Sequence, residues 1–281
     1  MSLMIGLVLV MLAAKPAPPV PEPRAQLVPS VAEALTELLA KKPRVVAFGE
    51  IHQTTARLGV PSSLKHFSDE LMAVVAPRAS DLVVETWVTE GKCGKTETAV
   101  LAEVKKTTER PQQTEDEVVT LLKRAKAAGV KPHILSVSCK EYEAIYQGKQ
   151  GVDYDALLRM TSDKLEAGIR EVLGKPGRDD QRAIVVYGGA LHNDLVPAEG
   201  LAPYTFGESV SKSVGGKYLE VDLYVPEYVE TQKNLKAEAW YRAYKKAARP
   251  GQAVLIERRL DSYVIVFPPA PRPPRKAARG K

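Results

Sequence analysis

The 281-residue sequence contains only two cysteines, Cys93 and Cys139, and neither belongs to a CxxC pair. This scarcity excludes zinc-ribbon sites, which need clustered thiolates. Each cysteine follows a segment that the pattern predicts to be a strand, so the two can meet at one edge of a sheet. A disulfide and two unpaired structural thiols both fit the sequence, and a disulfide would indicate an oxidising compartment.

Several motifs of common enzyme classes are also missing. The sequence has no GxGxxG and no GxxxxGK[ST], which argues against a dinucleotide site and against a P-loop. Ser136 and Ser138 lie on a predicted strand, but no GxSxG surrounds them. A serine hydrolase of the nucleophile-elbow type is therefore disfavoured.

The predicted domain lacks the positive net charge that a nucleic-acid-binding surface would need. Of the formal charge of +6, residues 270–281 carry +5 and residues 1–29 carry +1, so residues 30–269 are neutral. Nucleic-acid binding depends on clustered Lys and Arg, so we expect no nucleic-acid partner. The basic, Pro-rich segment 270–281 is typical of a disordered tail.

The sequence begins with an apolar run, residues 1–14, followed by a Pro-rich spacer, residues 15–23. The run has the length of a signal-peptide core and is too short to span a bilayer. It predicts an exported protein, periplasmic or secreted, with an apolar N-terminus of a cytosolic protein as the alternative. We expect membrane contact only through this segment or the basic tail. The predicted organisation is a signal-like segment and linker in 1–29, one domain in 30–269 and a tail in 270–281.

Apolar runs alternate with helical patterns through the predicted domain. The early runs are apolar throughout, which is typical of strands buried on both faces. The runs near 253–257 and 263–267 are joined by a short link and predict a hairpin. The expected fold is therefore α/β, a mainly parallel sheet flanked by helices on both faces with an antiparallel C-terminal hairpin.

Polar residues follow three of these runs. Glu50 and His52 follow the first run, Glu85 follows the second, and His192 follows a later run that ends in two glycines. The carboxyl ends of parallel strands share one sheet edge, where ligands of open α/β sheets bind. Glu50 and His52 are two residues apart, so both should project to the same side. These four residues are the predicted catalytic set, either as ligands of a divalent zinc- or manganese-like ion or as a metal-free general base with proton carriers.

Two further residues are candidates for cofactor binding. His66 lies on the helix predicted after the first strand, and Tyr187 precedes the glycine pair. The alternative for these residues is structural: Glu50 and Glu85 could pair with Arg44, Arg57 or Arg182, His52 could cap a helix, and His192 could be a satisfied loop histidine.

The residues Gly49-Glu50-Ile51-His52, the later Glu85 and the run Gly189-Ala190-Leu191-His192 resemble the superfamily of erythromycin esterase and ChaN-like haem-binding lipoproteins, with related TIKI- and TraB-type proteins. The resemblance spans about residues 45–192. It implies a mixed α/β fold with its site at the strand ends, and Glu50, His52, Glu85 and His192 as site residues. Its members imply different activities: water activation on an ester, metal-dependent proteolysis, or haem binding at a homodimer interface.

The sequence therefore supports two functional hypotheses. The first is an exported hydrolase-like protein acting on a small-molecule or peptide substrate, with or without a divalent metal. The second is a haem- or iron-binding protein without catalysis.

Overall fold

The computed structural model describes residues 22–179 and 181–270. The predicted signal-like segment, most of the spacer and the basic tail lie outside the described residues. The described chain contains one eight-stranded sheet. Its strands are β1 (Arg24–Val28), β2 (Val45–Glu50), β3 (Ala79–Glu90), β4 (Lys131–Ser138), β5 (Ala183–Gly189), β6 (Tyr218–Tyr224), β7 (Ala253–Arg259) and β8 (Ser262–Val266).

The strand order is β1-β7-β8-β6-β2-β5-β3-β4. The six strands from β8 to β4 run parallel to their neighbours, and only the pairs β7–β8 and β1–β7 are antiparallel. The predicted fold class is thus confirmed, including the C-terminal hairpin. The hairpin's second strand joins the parallel part beside β6.

Helices cover both faces of this sheet. On one face α1, α2, α3 and α5 pack on alternate residues of the strands, and on the other α7, α8 and α11 do so. The helices are α1 (Val31–Leu39), α2 (Ser63–His66), α3 (Met72–Val75), α4 (Gly94–Thr108), α5 (Gln113–Ala127), α6 (Cys139–Ile145), α7 (Tyr154–Leu173), α8 (Gly207–Ser213), α9 (Pro226–Val229), α10 (Lys233–Ala237) and α11 (Ala239–Ala247). A π-helical turn, Phe67–Leu71, joins α2 to α3.

Local sequence signals explain where several helices begin. Ser30 caps α1 by accepting a hydrogen bond from the backbone N–H of Glu33, and Asp153 caps α7 in the same way. Thr114 and Glu117 have the spacing of a capping box, but Thr114 is not a cap because α5 already begins at Gln113. Helix α7 is also the longest, and its apolar stripe (Leu165, Ile169) seals the second face of the sheet.

Three features differ from the sequence-based expectations. Strand β1 starts at Arg24, inside the range expected to be linker, and pairs with β7. The strand expected to end at Glu85 continues to Glu90. The pattern of residues 229–247 predicts one helix, but after the last residue of α9 this range holds two, α10 and α11. They are separate because Glu238 has an extended backbone (ψ 153°) and its carboxylate accepts a hydrogen bond from Trp240 Nε1.

Cys93 and Cys139 form a disulfide, which settles the choice between a bond and two free thiols. The bond ties the start of α4 to the start of α6, beyond the ends of β3 and β4. Among the described residues, no helix combines the length and apolar character needed to cross a membrane.

Candidate functional site

The candidate site lies where the central parallel strands β2, β5 and β3 end. Glu50 is the last residue of β2 and lies in register with Gly189, the last residue of β5. Both strands are fully buried along their length. A carboxylate at the end of such a strand is removed from water on folding, so it needs hydrogen-bond partners to offset the free energy of its desolvation.

Glu50 has two partners. His52 Nδ1 donates to Glu50 Oε1 at 2.7 Å, and the Tyr187 hydroxyl donates to Oε2 at 2.6 Å. The two-residue spacing therefore projects Glu50 and His52 to one side, as the sequence predicts. Because Nδ1 is engaged, Nε2 is the imidazole nitrogen left for a substrate or water.

Glu85 reaches the same point from β3. It lies in a bulge: Val84 pairs with Ile134 while Trp87 pairs with Leu135, so two residues of β3 have no counterpart on β4. Pairing of β3 with β5 also stops at Val84, which frees the following residue to turn toward the site. Strand β3 itself continues, so Glu85 marks the point where two strands separate rather than a strand terminus.

The Glu85 carboxylate joins three elements. One oxygen accepts a hydrogen bond from the backbone N–H of Gly189. The other lies 3.7 Å from His52 Nε2 and 3.6 Å from an Arg110 guanidinium nitrogen. Arg110 comes from the link between α4 and α5, and its Nε has no hydrogen-bond partner within the described chain.

Two glycines of β5 make room for this carboxylate. A Cβ on Gly188 would lie 2.6 Å from Glu85 Oε2, and a Cβ on Gly189 would lie 3.1 Å from His52 Nε2. Any larger residue would push the Glu85 and His52 side chains apart. The glycine pair is therefore a spatial requirement of the site.

His192 follows in the turn after β5 and is 4% exposed. Its Nδ1 donates to the Tyr204 carbonyl at 2.9 Å, and its backbone N–H donates to the Gly189 carbonyl at 3.0 Å. The ring is thus fixed by backbone acceptors, which leaves Nε2 as the nitrogen available to a ligand.

These side chains line a cavity of about 410 Å³. Its walls combine the polar residues of the strand ends with apolar residues from α4, α7 and α10. The lining includes Glu50, His52, Glu85, Trp87, Val104, Thr108, Arg110, Tyr154, Leu157, Leu158, Thr161, Ala190, Leu191, His192, Tyr224 and Leu235. A largely apolar pocket with a few convergent polar groups is the usual form of a small-molecule site.

The electrostatics distinguish the two acid–base partners. Burial and Arg110 lower the pKa of His52, but the attraction of the Glu50 and Glu85 carboxylates outweighs them, so its pKa is raised above 6.5. Burial works to raise the pKa of Glu85, yet the interactions with His52, His192 and Arg110 hold it well below its ordinary value. Glu85 is therefore a stable anion, and His52 holds its proton more tightly than a free imidazole does.

A second buried polar cluster lies behind the site on β6 and β7. The Arg258 guanidinium contacts both Glu220 and Asp222, the latter at 2.9 Å. Asp222 accepts a hydrogen bond from Asn193 Nδ2 at 3.1 Å, next to His192. A Cβ on Gly49 would lie 2.7 Å from the backbone of the turn after β5, so this glycine lets the two clusters approach each other.

The structure brings Glu50, His52, Glu85 and His192 to one cavity. It does not bring His66 there: that ring stacks on Phe267 at 4.5 Å and its Nδ1 bonds to Glu70. Tyr187 is buried and directs its hydroxyl to Glu50 rather than lining the cavity. Within residues 22–179 and 181–270, no group of three or more His, Cys, Asp and Glu side chains is arranged to hold a metal ion.

Sequence reasoning missed Arg110. It lies 25 residues after Glu85 in a linker between helices, and no motif marks it. The arginines suggested by the sequence as structural partners, Arg44, Arg57 and Arg182, do not line the cavity, and Arg57 lies in a 3₁₀ turn.

The assembled site offers an imidazole oriented by a carboxylate, a second carboxylate that stays anionic, and a guanidinium with unused donors. This set can deprotonate a water molecule and stabilise negative charge on a neighbouring oxygen. No family model, curated protein or solved structure matches the chain.

Proposed function

We propose that the protein is a hydrolase that uses His52 as a general base to activate water on a carbonyl substrate, an ester or an amide. One observation carries this proposal: Glu50 fixes His52 through Nδ1, while Nε2 lies 3.7 Å from the anionic Glu85 at the cavity wall. A base oriented by a carboxylate on its far nitrogen is the arrangement that general-base catalysis uses.

In the proposed reaction a water molecule lies between His52 Nε2 and Glu85. His52 takes one proton, and the water oxygen attacks the carbonyl carbon to form a tetrahedral oxyanion. Arg110 stabilises the oxyanion, since it lines the cavity beside Glu85 and its Nε has no hydrogen-bond partner among the described residues. The bond to the leaving group then breaks, and the proton passes from His52 to that group. His192, which lines the same cavity, orients the substrate.

A resident metal is a poorer fit to these residues. Nδ1 of His52 and Nδ1 of His192 both donate to protein oxygens, as is usual for histidines that bind metals, so Nε2 of each ring would be the donor to a cation. The donor atoms of the described chain do not gather around one point. The proposed reaction therefore has no step that needs zinc or manganese.

Haem or iron binding stays a second prediction. His52 Nε2 or His192 Nε2 would hold the iron, since the Tyr187 hydroxyl is committed to Glu50. Haem addition would then produce a Soret band that is lost in His52→Ala or in His192→Ala.

The test of the hydrolase proposal is a panel of chromogenic esters and amides with the variants His52→Gln and Glu50→Gln. Loss of the base should lower kcat by about 10²- to 10⁴-fold. Glu208→Gln is the matched control, because Glu208 is exposed on α8 and pairs only with Lys212. Circular dichroism verifies folding, and full activity of a folded His52→Gln variant would refute the proposal. The same assay with added zinc, manganese or a chelator shows whether a cation takes part.

We also propose that the chain acts outside the cytoplasm, in the periplasm or secreted. The Cys93–Cys139 disulfide supports this, because structural disulfides persist in oxidising compartments. Fractionation of cells that express the full chain, with N-terminal sequencing of the product, tests it. Recovery of uncleaved protein only in the cytosol would contradict it.

A further inference from the structure

A second cavity, of about 430 Å³, adjoins the candidate site between α4 and α5. Its floor is formed by β3 and β4, and its walls by the facing sides of the two helices. The apolar lining residues are Trp87, Val88, Leu101, Val104, Val118, Val119, Leu122 and Ile134. We call this cavity the α4–α5 groove.

The groove concentrates exposed apolar surface. Nine large apolar side chains are exposed in the described chain, and four of them line this groove: Val88 (55%), Leu101 (41%), Val119 (45%) and Ile134 (41%). Single exposed apolar residues are ordinary, but a contiguous set indicates a binding surface.

The groove opens into the candidate site. Five residues line both cavities: Glu85, Trp87, Val104, Thr108 and Arg110. The junction therefore carries Glu85 and Arg110 of the proposed hydrolytic site, and Arg110 there has an unpaired Nε. A ligand that crosses the junction meets Arg110 there and mainly apolar walls beyond it, with Lys105 and Glu115 also in the lining of the groove.

We infer that the α4–α5 groove binds the unbranched acyl chain of the substrate, with the carbonyl head at Arg110. This inference rests on the proposed hydrolase function and names its substrate class, an acyl ester or amide of medium chain length. Charge complementarity fixes the direction, since the carbonyl or carboxylate oxygen is the only part of such a ligand that Arg110 attracts. The apolar chain then covers the four exposed side chains and removes them from water.

Binding of n-alkanoates from butanoate to decanoate, below their micelle concentrations, tests the groove without turnover. Titration calorimetry on the His52→Gln protein should show Kd falling by up to about fourfold per methylene, the fold-change that corresponds to about 0.8 kcal/mol. The double variant Leu101→Gln/Val119→Gln should lose this dependence and bind decanoate at least ~tenfold more weakly. Leu260→Gln is the control, because Leu260 is 76% exposed in the β7–β8 turn and lines neither cavity.

The two proposals fail separately. Alkanoate binding that depends on chain length, without ester hydrolysis, would support acyl-chain binding in the α4–α5 groove and contradict the hydrolase proposal. Ester hydrolysis by the wild type with a rate independent of acyl length would reject the groove and retain the hydrolase. If light scattering shows a dimer that the double variant converts to monomer, and alkanoates do not bind, the groove is an interface between two copies and the inference is overturned.

Discussion

The buried acid pair on β6 should make the stability of this protein depend on pH in a defined direction. Glu220 and Asp222 are 0% and 1% exposed and share one guanidinium, that of Arg258. With both carboxyls ionised the cluster would hold a net charge of −1 away from water. A proton retained by the pair neutralises this charge. Glu220→Gln removes one of the two titrating groups and is therefore the substitution that tests the effect.

The size of the effect follows from the pKa of the pair. Burial raises the pKa of Glu220 from its ordinary 4.5 to about 7, although the Arg258 charge acts in the opposite sense, and burial also raises that of Asp222. The folded state therefore binds the proton more tightly than the unfolded state does. This contribution is fully present below pH 4.5 and is lost as the pH rises through 7. One proton changes the free energy of unfolding by about 1.4 kcal/mol per pH unit, on the order of 3 kcal/mol across the window.

The assay is denaturant unfolding at a series of pH values between 5 and 8 for the wild type, Glu220→Gln and the exposed control Glu208→Gln. The stability of the wild type relative to Glu220→Gln should fall as the pH rises, because the variant has no proton to lose at that position. Subtracting one protein from the other cancels the titration of groups they share, such as His52. The difference between wild type and Glu208→Gln should stay flat, since that carboxylate is exposed in both states.

A difference between wild type and Glu220→Gln that stays constant, or rises with pH, would refute the reasoning. It would mean that Arg258, together with the Leu195 N–H that donates to Glu220, holds the carboxylate ionised throughout the window. The attraction of one guanidinium would then exceed the desolvation of two carboxylates, contrary to the usual balance for buried ion pairs.

Three further predictions concern the site and its frame. The kcat of hydrolysis should rise with pH with a midpoint above 6.5, because His52 acts as a base only when neutral and its pKa is raised. Glu50→Gln should move the midpoint of this kcat profile down, because it removes a carboxylate that raises the pKa of His52. A midpoint that does not move would exclude His52 as the titrating base. Replacing Cys93 and Cys139 by Ser opens a loop of 46 residues and should lower the free energy of unfolding by about 4 kcal/mol in urea titrations. An unchanged free energy of unfolding would show that the disulfide does not constrain the unfolded chain. Gly49→Ala places a Cβ 2.7 Å from the Ala190 Cα in the turn after β5 and should lower the free energy of unfolding by about 1–3 kcal/mol in thermal unfolding. An unchanged Tm would show that this turn moves aside without a cost in stability.

Much of the fold could be predicted because its strands carry a strong signal. Runs such as Val45–Glu50 and Ala183–Gly189 are apolar on both faces, and only a sheet covered by helices on both sides buries them. Glu50 and His52 could be placed together for the same reason, since alternate residues of an extended chain share a side. Strand β1 gave no comparable signal, because its residues are mostly exposed and it pairs only at the sheet edge.

The rest of the site depends on tertiary contacts that the sequence does not encode locally. Glu85 reaches His52 because of a bulge in β3, and a bulge is set by the pairing of neighbouring strands. Arg110 enters from a helix linker with no pattern of its own. The β6 segment Tyr218–Tyr224 alternates polar and apolar residues, which suggests one wet face, yet every residue in it is buried.

These departures share a cause. The buried carboxylates of Glu50 and Asp222 and the partly buried carboxylate of Glu85 conflict with the apolar strands around them, and each is stabilised by specific donors. Conflicts between local pattern and burial are expected where a protein binds or reacts rather than merely folds. Two of the three carboxylates face the same cavity and hold the same imidazole, so their desolvation is offset by a geometry that serves His52. The third lies behind Gly49 and fixes Asn193, so the same argument assigns the β6 cluster to supporting the turn that carries His192.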